Sequence, residues 1–411
     1  MKNYRVLLIS QYFWPEQFTI NDVANLLKIK KFKIDVLSSK PNYPEGKFFK
    51  DYNFFNKNKE KYKGIKILRC PIIPRGNSSN FRLIINYISF SLFSSIYIFY
   101  YIFKKYDYIL VYQTSPITSA IAGILFSKIK KIPLIIWVQD LWPETLKGTS
   151  HVKSKIVYKI AKIISNYIYK NSDILFAQSK SMVLNLKIKF KNKFVFYLPN
   201  LVQTIIKPIK SNSFKKKLNL NNNLNLMFAG NIGDAQNVKL IVNLAKKFKN
   251  QKINFLIVGT GSKFETINRL KKKHDLQNLI LYGKQEISKI PLYFSIADFM
   301  LLTLKNKNVF SITVPNKLIA YMASGKPIIS IAPGESSDIV NEAKCGFANK
   351  SFSSIDINKI ILKILKIKKK EIKFFSMNSK KYYDLNFSHK SFLEKFEQGI
   401  KKYENYKTDL L

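Results

Sequence analysis

The sequence predicts an α/β protein made of two doubly wound domains facing across a cleft. Short apolar runs alternate with helix-length stretches along most of the chain. A polar stretch breaks that alternation near the middle, and 411 residues need more than one hydrophobic core.

The elements follow in order. Residues 4–10 form a short apolar run of the kind found in buried parallel strands. A helical stretch over 21–30 leads to a second strand over 32–38. Strands are expected at 108–112, 133–138, 174–178 and 194–198, with a helix over 117–128. Residues 203–224 are dominated by Lys, Asn and Ser and read as a linker. A second series then places strands at 226–230, 254–259, 279–283, 299–302 and 327–330. The expected division is therefore a domain over 1–202, the linker, a domain over 225–388, and a C-terminal helix over 389–411 packing back on the first domain. Two open α/β sheets in one chain place a ligand in the cleft at the carboxyl ends of their strands.

Residues 83–103 stand apart. They carry no formal charge, are rich in aromatics, and lie between Arg82 and the pair Lys104-Lys105. The length suffices to cross a bilayer. Asn86 and four serines lower its hydrophobicity, and a span would split the α/β alternation, so an interfacial or core helix is expected.

Composition narrows the partners. Lys+Arg 70 against Asp+Glu 25 gives a formal charge of +45, which suits nucleic acid or an anionic membrane. Only five of those cations are arginine, the residue whose fork reads phosphates and bases, and no nucleic-acid motif is present. No nucleic-acid partner is expected. An anionic membrane surface attracts lysine equally well. Two cysteines, Cys70 and Cys345, exclude a disulfide scaffold and fit a reducing compartment. Three scattered histidines leave no zinc-site spacing. No cleavage pattern precedes the first strand, so export is not expected.

Three motifs occur in this order, the first two after strands and the third before a helix: Asp140-Leu141-Trp142-Pro143-Glu144, Gly230-Asn231-Ile232-Gly233-Asp234-Ala235-Gln236, and Val314-Pro315-Asn316-Lys317 leading to Tyr321-Met322-Ala323-Ser324-Gly325-Lys326-Pro327. Together they resemble the family 4 glycosyltransferases of the GT-B fold, with two Rossmann-like domains. The branch most resembled is that of bacterial O-antigen and capsule N-acetyl-fucosamine transferases. The resemblance runs over nearly the whole chain.

Residue by residue, Gly230, Asn231 and Gly233 resemble the donor loop. A glycine turn before a helix exposes backbone N–H groups to phosphate, although a lone GxxG is more often a plain βα turn. Gly259-Thr260-Gly261, after the next strand, is taken as structural. Pro315 and Lys317 stand at a helix start, where a lysine adds a full charge to the helix dipole and suits a pyrophosphate leaving group. Glu335 resembles a residue touching a sugar hydroxyl, or else is an acid at an exposed helix start. Asp140 is expected either to bind donor or acceptor hydroxyls or help deprotonate the acceptor, or to cap a helix in the Trp-Pro turn. Residues 12–16 follow the first strand, where the family has a loop near donor phosphates and acceptor.

The sequence also departs from the family. Gln17-Phe18-Thr19 replace the usual glycine pair, Asn231 and Gln236 replace a common arginine and lysine, and the paired glutamates fall on Ile312 and Ala320. No two aspartates lie two residues apart, so no DxD metal motif exists and no metal or other cofactor is expected.

The resemblance implies a retaining, metal-independent transfer from a nucleotide diphosphate donor, UDP-linked, the sugar an N-acetylated deoxyhexosamine. The acceptor implied is a lipid-linked glycan, with the protein cytoplasmic and peripheral on the inner membrane face. A GT-B-fold nucleotide-sugar epimerase and a non-catalytic membrane-associated scaffold are the competing readings.

Overall fold

The computed structural model describes residues 3–77, 79–148, 154–220 and 222–409. They form two compact units, Met1–Pro199 with Phe392–Leu411, and Asn200–Ser391.

Unit 1 carries eight strands: β1 (Arg5–Ser10), β2 (Lys33–Ser39), β3 (Lys59–Tyr62), β4 (Ile65–Cys70), β5 (Tyr108–Gln113), β6 (Leu134–Val138), β7 (Ile174–Ala177) and β8 (Phe194–Tyr197). Their order in the sheet is β3-β4-β2-β1-β5-β6-β7-β8. All of these pairings are parallel except β3 with β4. β5 and β6 are buried at every position, because helices cover both faces of a parallel sheet. The hairpin β3–β4 was not foreseen. Its first strand, Lys-Glu-Lys-Tyr, is polar and lies at the sheet edge, where burial leaves no apolar signature.

Unit 2 has six parallel strands: β9 (Leu224–Ala229), β10 (Ile253–Val258), β11 (Leu279–Gly283), β12 (Phe299–Thr303), β13 (Ile328–Ile331) and β14 (Gly346–Asn349), ordered β11-β10-β9-β12-β13-β14. Alternate residues feed two cores. Met227, Leu256, Met300 and Leu302 enter one, while Phe228, Phe255, Ile257 and Leu301 enter the other.

Two expected boundaries differ from the structure. The stretch expected as a linker belongs to unit 2. It contains a helix, Asn212–Lys217, whose Phe214 packs 5.4 Å from Tyr293, and Leu220 is buried. Phe214, Leu218 and Leu220 are sparse among lysines and asparagines, yet they bury against the unit's core. The second boundary is at the C-terminus: residues 389–391 stay with unit 2, and the helix His389–Thr408 continues into unit 1. There Phe392 packs on Trp137, Phe396 on Phe176, and Glu404 accepts hydrogen bonds from the Tyr4 and Tyr108 hydroxyls.

In both sheets the strand order reverses once. In unit 1 it reverses at β1/β5, and in unit 2 at β9/β12. A crevice opens at such a point because successive connections leave on opposite faces.

Candidate functional site

In unit 2 the residues 230–233 leave the carboxyl end of β9, at the reversal point. Gly230 adopts φ +134° and Gly259 φ +135°. A Cβ on Gly259 would lie 2.0 Å from the Gly230 carbonyl oxygen, so the loops after β9 and β10 meet backbone to backbone. The Gly230 amide donates to the Val258 carbonyl (2.9 Å) and the Ile232 amide to that of Thr260 (2.8 Å). This agrees with a structural role for Gly259 and Gly261. Beyond the loop come a short turn, Asp234–Gln236, and the helix Val238–Lys247. The loop is also pinned to the end of β12. Thr303 Oγ1 donates to the Gln236 carbonyl (2.6 Å), and Lys305 Nζ donates to Asp234 (2.5 Å).

The helix Asn316–Ala323 brings a cation to this loop. Pro315 is its N-cap residue, and Lys317 and Tyr321 are four apart, on one face. Tyr321 is buried. Its hydroxyl accepts from the Ala229 amide and donates to the Ala229 carbonyl, both at 2.9 Å. That pair fixes the helix against the end of β9, and Lys317 one turn earlier lies over the loop. A Cβ on Gly230 would meet Lys317 Nζ at 3.5 Å. The ammonium lies 4.1 Å from the Phe228 ring centroid and donates to Gln236 Oε1. Gln236, where the resembled family has a lysine, thus accepts from Lys317.

Burial pushes Lys317 down to about 7. The ammonium is therefore dominant below that pH and is lost above it. A diphosphate ester recognises only the charged form. Its affinity should thus weaken about tenfold per pH unit above about 7, with proton uptake on binding. Calorimetry in buffers of different ionisation enthalpy measures both, and affinity constant from pH 6 to 9 would exclude this role.

Glu335 begins the helix Glu335–Glu342 after the N-cap residue Gly334, and it is buried, contrary to the exposed helix-start acid weighed from sequence. A Cβ on Gly334 would lie 2.1 Å from the Ser311 carbonyl oxygen, and Ser336 Oγ donates to the Thr313 carbonyl. The segment that leads into Pro315 therefore packs on this helix start. Asn231 and Gly233 lie in the same loop, with Asn231 Nδ2 2.9 Å from where a Gly233 Cβ would be.

Asp140 belongs to unit 1, just past β6. It caps no helix. Ser115 Oγ, from the loop after β5, donates to Asp140 Oδ2 (2.8 Å), and Trp142 Nε1 donates to the same serine (3.2 Å). Burial raises the Asp140 carboxyl above its ordinary range, with Ser115 opposing.

At the same end of this sheet, Tyr12 and Glu16 of the loop singled out from sequence join residues that sequence reasoning missed. The Arg75 guanidinium lies 4.9 Å from the Tyr43 ring and 5.9 Å from that of Tyr12, and it bonds the Tyr87 hydroxyl. Arg75 Nε is buried without a partner among the described residues. Burial raises Tyr87, and the Asp140 charge adds to that rise, which brings Asp140 into the neighbourhood. Glu16 holds the cluster's backbone. Its Oε1 accepts from the Asn42 and Tyr43 amides (2.9 and 2.8 Å), and burial pushes its carboxyl up to about 7. The available signal was Arg75 itself, one of five arginines among seventy cations. Among the described residues, no three His, Cys, Asp or Glu side chains converge as metal ligands.

Residues 210–381 match the family model of Glycosyl transferases group 1. The chain is 24% identical to the probable glycosyltransferase WbjE of Pseudomonas aeruginosa, over 52% of this chain and 55% of that protein, so the match spans about half of that relative's length. It is 20% identical to the putative colanic acid biosynthesis glycosyl transferase WcaI of Escherichia coli, over 74% of this chain and 76% of that one. The fold is similar to that of Anabaena HepE in complex with UDP, with a TM-score of 0.69 at 12% identity, covering 97% of this chain and 100% of that one. These findings show the fold, two Rossmann-like α/β units, and a similarity to Glycosyl transferases group 1 over residues 210–381.

Proposed function

We propose that this chain is a retaining, metal-independent glycosyltransferase of surface polysaccharide biosynthesis. Its donor is a nucleotide diphosphate sugar, UDP-linked, and its acceptor is a lipid-linked glycan at the cytoplasmic membrane face. The observation that carries the reading is the Lys317 ammonium held against Gly230 at the unit 2 reversal point. Such a place offers a diphosphate a full positive charge beside bare backbone. The relatives' names and HepE's bound UDP agree with this.

In the proposed reaction the bond from the anomeric carbon to the diphosphate oxygen breaks first, leaving an oxocarbenium-like sugar. Lys317 and the Gly233 amide stabilise charge growing on the departing phosphate. The acceptor oxygen then bonds the anomeric carbon on the face the diphosphate left, and its proton passes to a leaving-phosphate oxygen. Glu335 is proposed to bind a donor hydroxyl. Asp140 is proposed to orient the acceptor hydroxyl, and Arg75 between Tyr12 and Tyr43 to receive an acceptor phosphate beside a sugar ring.

The test is release of UDP from UDP-sugars by purified protein in excess EDTA. Turnover is expected to stay within about twofold of the untreated rate, because a protein cation serves where a metal would otherwise neutralise the phosphate. Inhibition by EDTA that magnesium or manganese reverses would overturn metal independence. A free 2-epimer as the product would establish the epimerase reading. An absence of both donor binding and turnover would leave the scaffold.

A further inference from the structure

The helix Asn80–Tyr97 is folded with its polar side inward. Asn86, Ser89, Ser91 and Ser94 are buried, and Asn86 accepts from Gln11 Nε2 (2.8 Å) and donates to the Ile73 carbonyl (2.6 Å). Phe81, Ile84, Ile88, Leu92, Ile96 and Phe99 are 46–71% exposed, at a spacing of three or four that makes one stripe. The segment Phe81–Tyr101 has the length and hydropathy of a bilayer span, but its polar side is committed to the unit 1 core.

The surface continues sideways. Ser91 Oγ donates to the Thr118 carbonyl, tying this helix to the turn that opens the helix Ile121–Lys130. Lys128 of that helix covers the Tyr167 ring at 5.6 Å, on the helix Lys155–Lys170. The last of these exposes Ile156, Ile160, Ile163 and Tyr167 at helical spacing, between the exposed Lys155, Lys159 and Lys162.

At its far end the first stripe runs into a cavity. Phe103, 97% exposed, lines a cavity of about 540 Å³ together with Arg5, Lys28, Lys33, Lys66, Lys104 and Lys105. Asp35 is the acid among the described lining residues, and it is already held by Lys104 (3.0 Å) and the Tyr106 hydroxyl (2.6 Å). Lys28 Nζ donates to the Lys63 carbonyl, and Lys33, Lys66 and Lys105 line the rest of a space large enough for a phosphate group.

The geometry points to a bilayer-docking face on unit 1, in which the apolar stripes enter an anionic leaflet and the cavity at Phe103 takes a phospholipid headgroup phosphate. Apolar side chains in a ring of lysines complement an anionic lipid surface in both hydrophobicity and charge. A water-facing helix normally points its polar side outward, and this one does the opposite. The face deepens the membrane-side placement in the proposed function and names the partner surface. It uses none of the donor-site residues.

The test is sedimentation of the full-length protein with phosphatidylglycerol vesicles, with phosphatidylcholine vesicles in parallel. Wild type is expected to pellet with the first at low salt and to retain part of that binding at high salt, since apolar insertion is not screened. The triple variant Ile88→Ser, Leu92→Ser, Ile96→Ser, altered only at exposed positions, should lose the salt-resistant part. Lys66→Glu with Lys105→Glu should weaken binding by at least about twentyfold, at roughly fivefold per cation removed from the surface. Wild type remaining in the supernatant overturns the face. So does resistance to carbonate extraction, which means a span, or a triple variant that changes oligomeric state but not vesicle binding, which means a second copy covers the stripe. Binding of inorganic phosphate, with vesicle affinity unchanged in the charge-reversal variant, assigns the cavity to free phosphate and also overturns it. Titration of the supernatant protein with UDP-sugar separates a failure here from a failure of the transferase reading.

Discussion

Replacing Lys317 with alanine is expected to lower kcat/KM by about 30- to 150-fold, which corresponds to roughly 2–3 kcal/mol of transition-state stabilisation from one charge-assisted contact. The size follows from where the ammonium sits. It lies against Gly230 at the end of β9, and burial alone pushes it down to about 7, with no acidic neighbour offsetting that. A buried ammonium is costly to keep charged on its own and is stabilised by an anionic partner. Lys317→Arg should recover little, because the planar fork does not fit between the Phe228 ring and Gln236 Oε1 as a compact ammonium does. Steady-state kinetics with a UDP-sugar measures both variants. Unchanged turnover in Lys317→Ala would remove this residue from the site, while folding would be checked by an unaltered melting curve.

The second large effect concerns Gly259. Gly259→Ala is expected to destabilise unit 2 by about 3 kcal/mol or more, and to lower the melting temperature of that unit by roughly 6–12 °C. The added Cβ would fall 2.0 Å from the Gly230 carbonyl oxygen, so backbone rather than a flexible side chain must shift. The φ of +135° adds strain for any residue with a Cβ. Because the Gly230 loop is displaced, donor binding should fall as well. Gly283→Ala is the matched control. Its φ is +67°, and nothing lies within 4 Å of the added carbon, so only about 1 kcal/mol from backbone strain is expected. Scanning calorimetry of the two variants decides the matter. Equal losses would show that the contact between the loops carries no energy.

Much was legible in the sequence. Continuous apolar runs such as β6 and β10 can be satisfied only in a sheet covered on both faces, so they announced parallel strands wherever they occurred. Glycines at strand ends and a lysine at a helix start marked the site segments because turns with positive φ and cations at helix starts are local requirements. Asn86 and four serines lowered the hydrophobicity of the stretch over 83–103, which pointed to an interfacial or core helix rather than a span. The edge strand β3 and the segment Asn212–Lys217 gave no such notice, since few of their residues are buried and the local pattern is that of solvated chain.

What tertiary structure alone decided is which of these segments meet. Lys317 is one of sixty-five lysines, and only the Tyr321 hydroxyl on Ala229, 92 residues away in sequence, places it over Gly230. Arg75, Tyr12, Tyr43 and Tyr87 come from four separate segments: Glu16 joins two by accepting the Asn42 and Tyr43 amides, and Arg75 joins the others through its amide on Asn42 Oδ1 and its guanidinium on the Tyr87 hydroxyl. Which side of the helix Asn80–Tyr97 faces outward was likewise set by Gln11 and Ile73, which claim Asn86. The physical reason is common to all three. Local patterns fix what a segment becomes, because burial and backbone geometry act within a few residues. A site needs polar groups to find partners far along the chain, and those pairings exist only once the sheets have set the register.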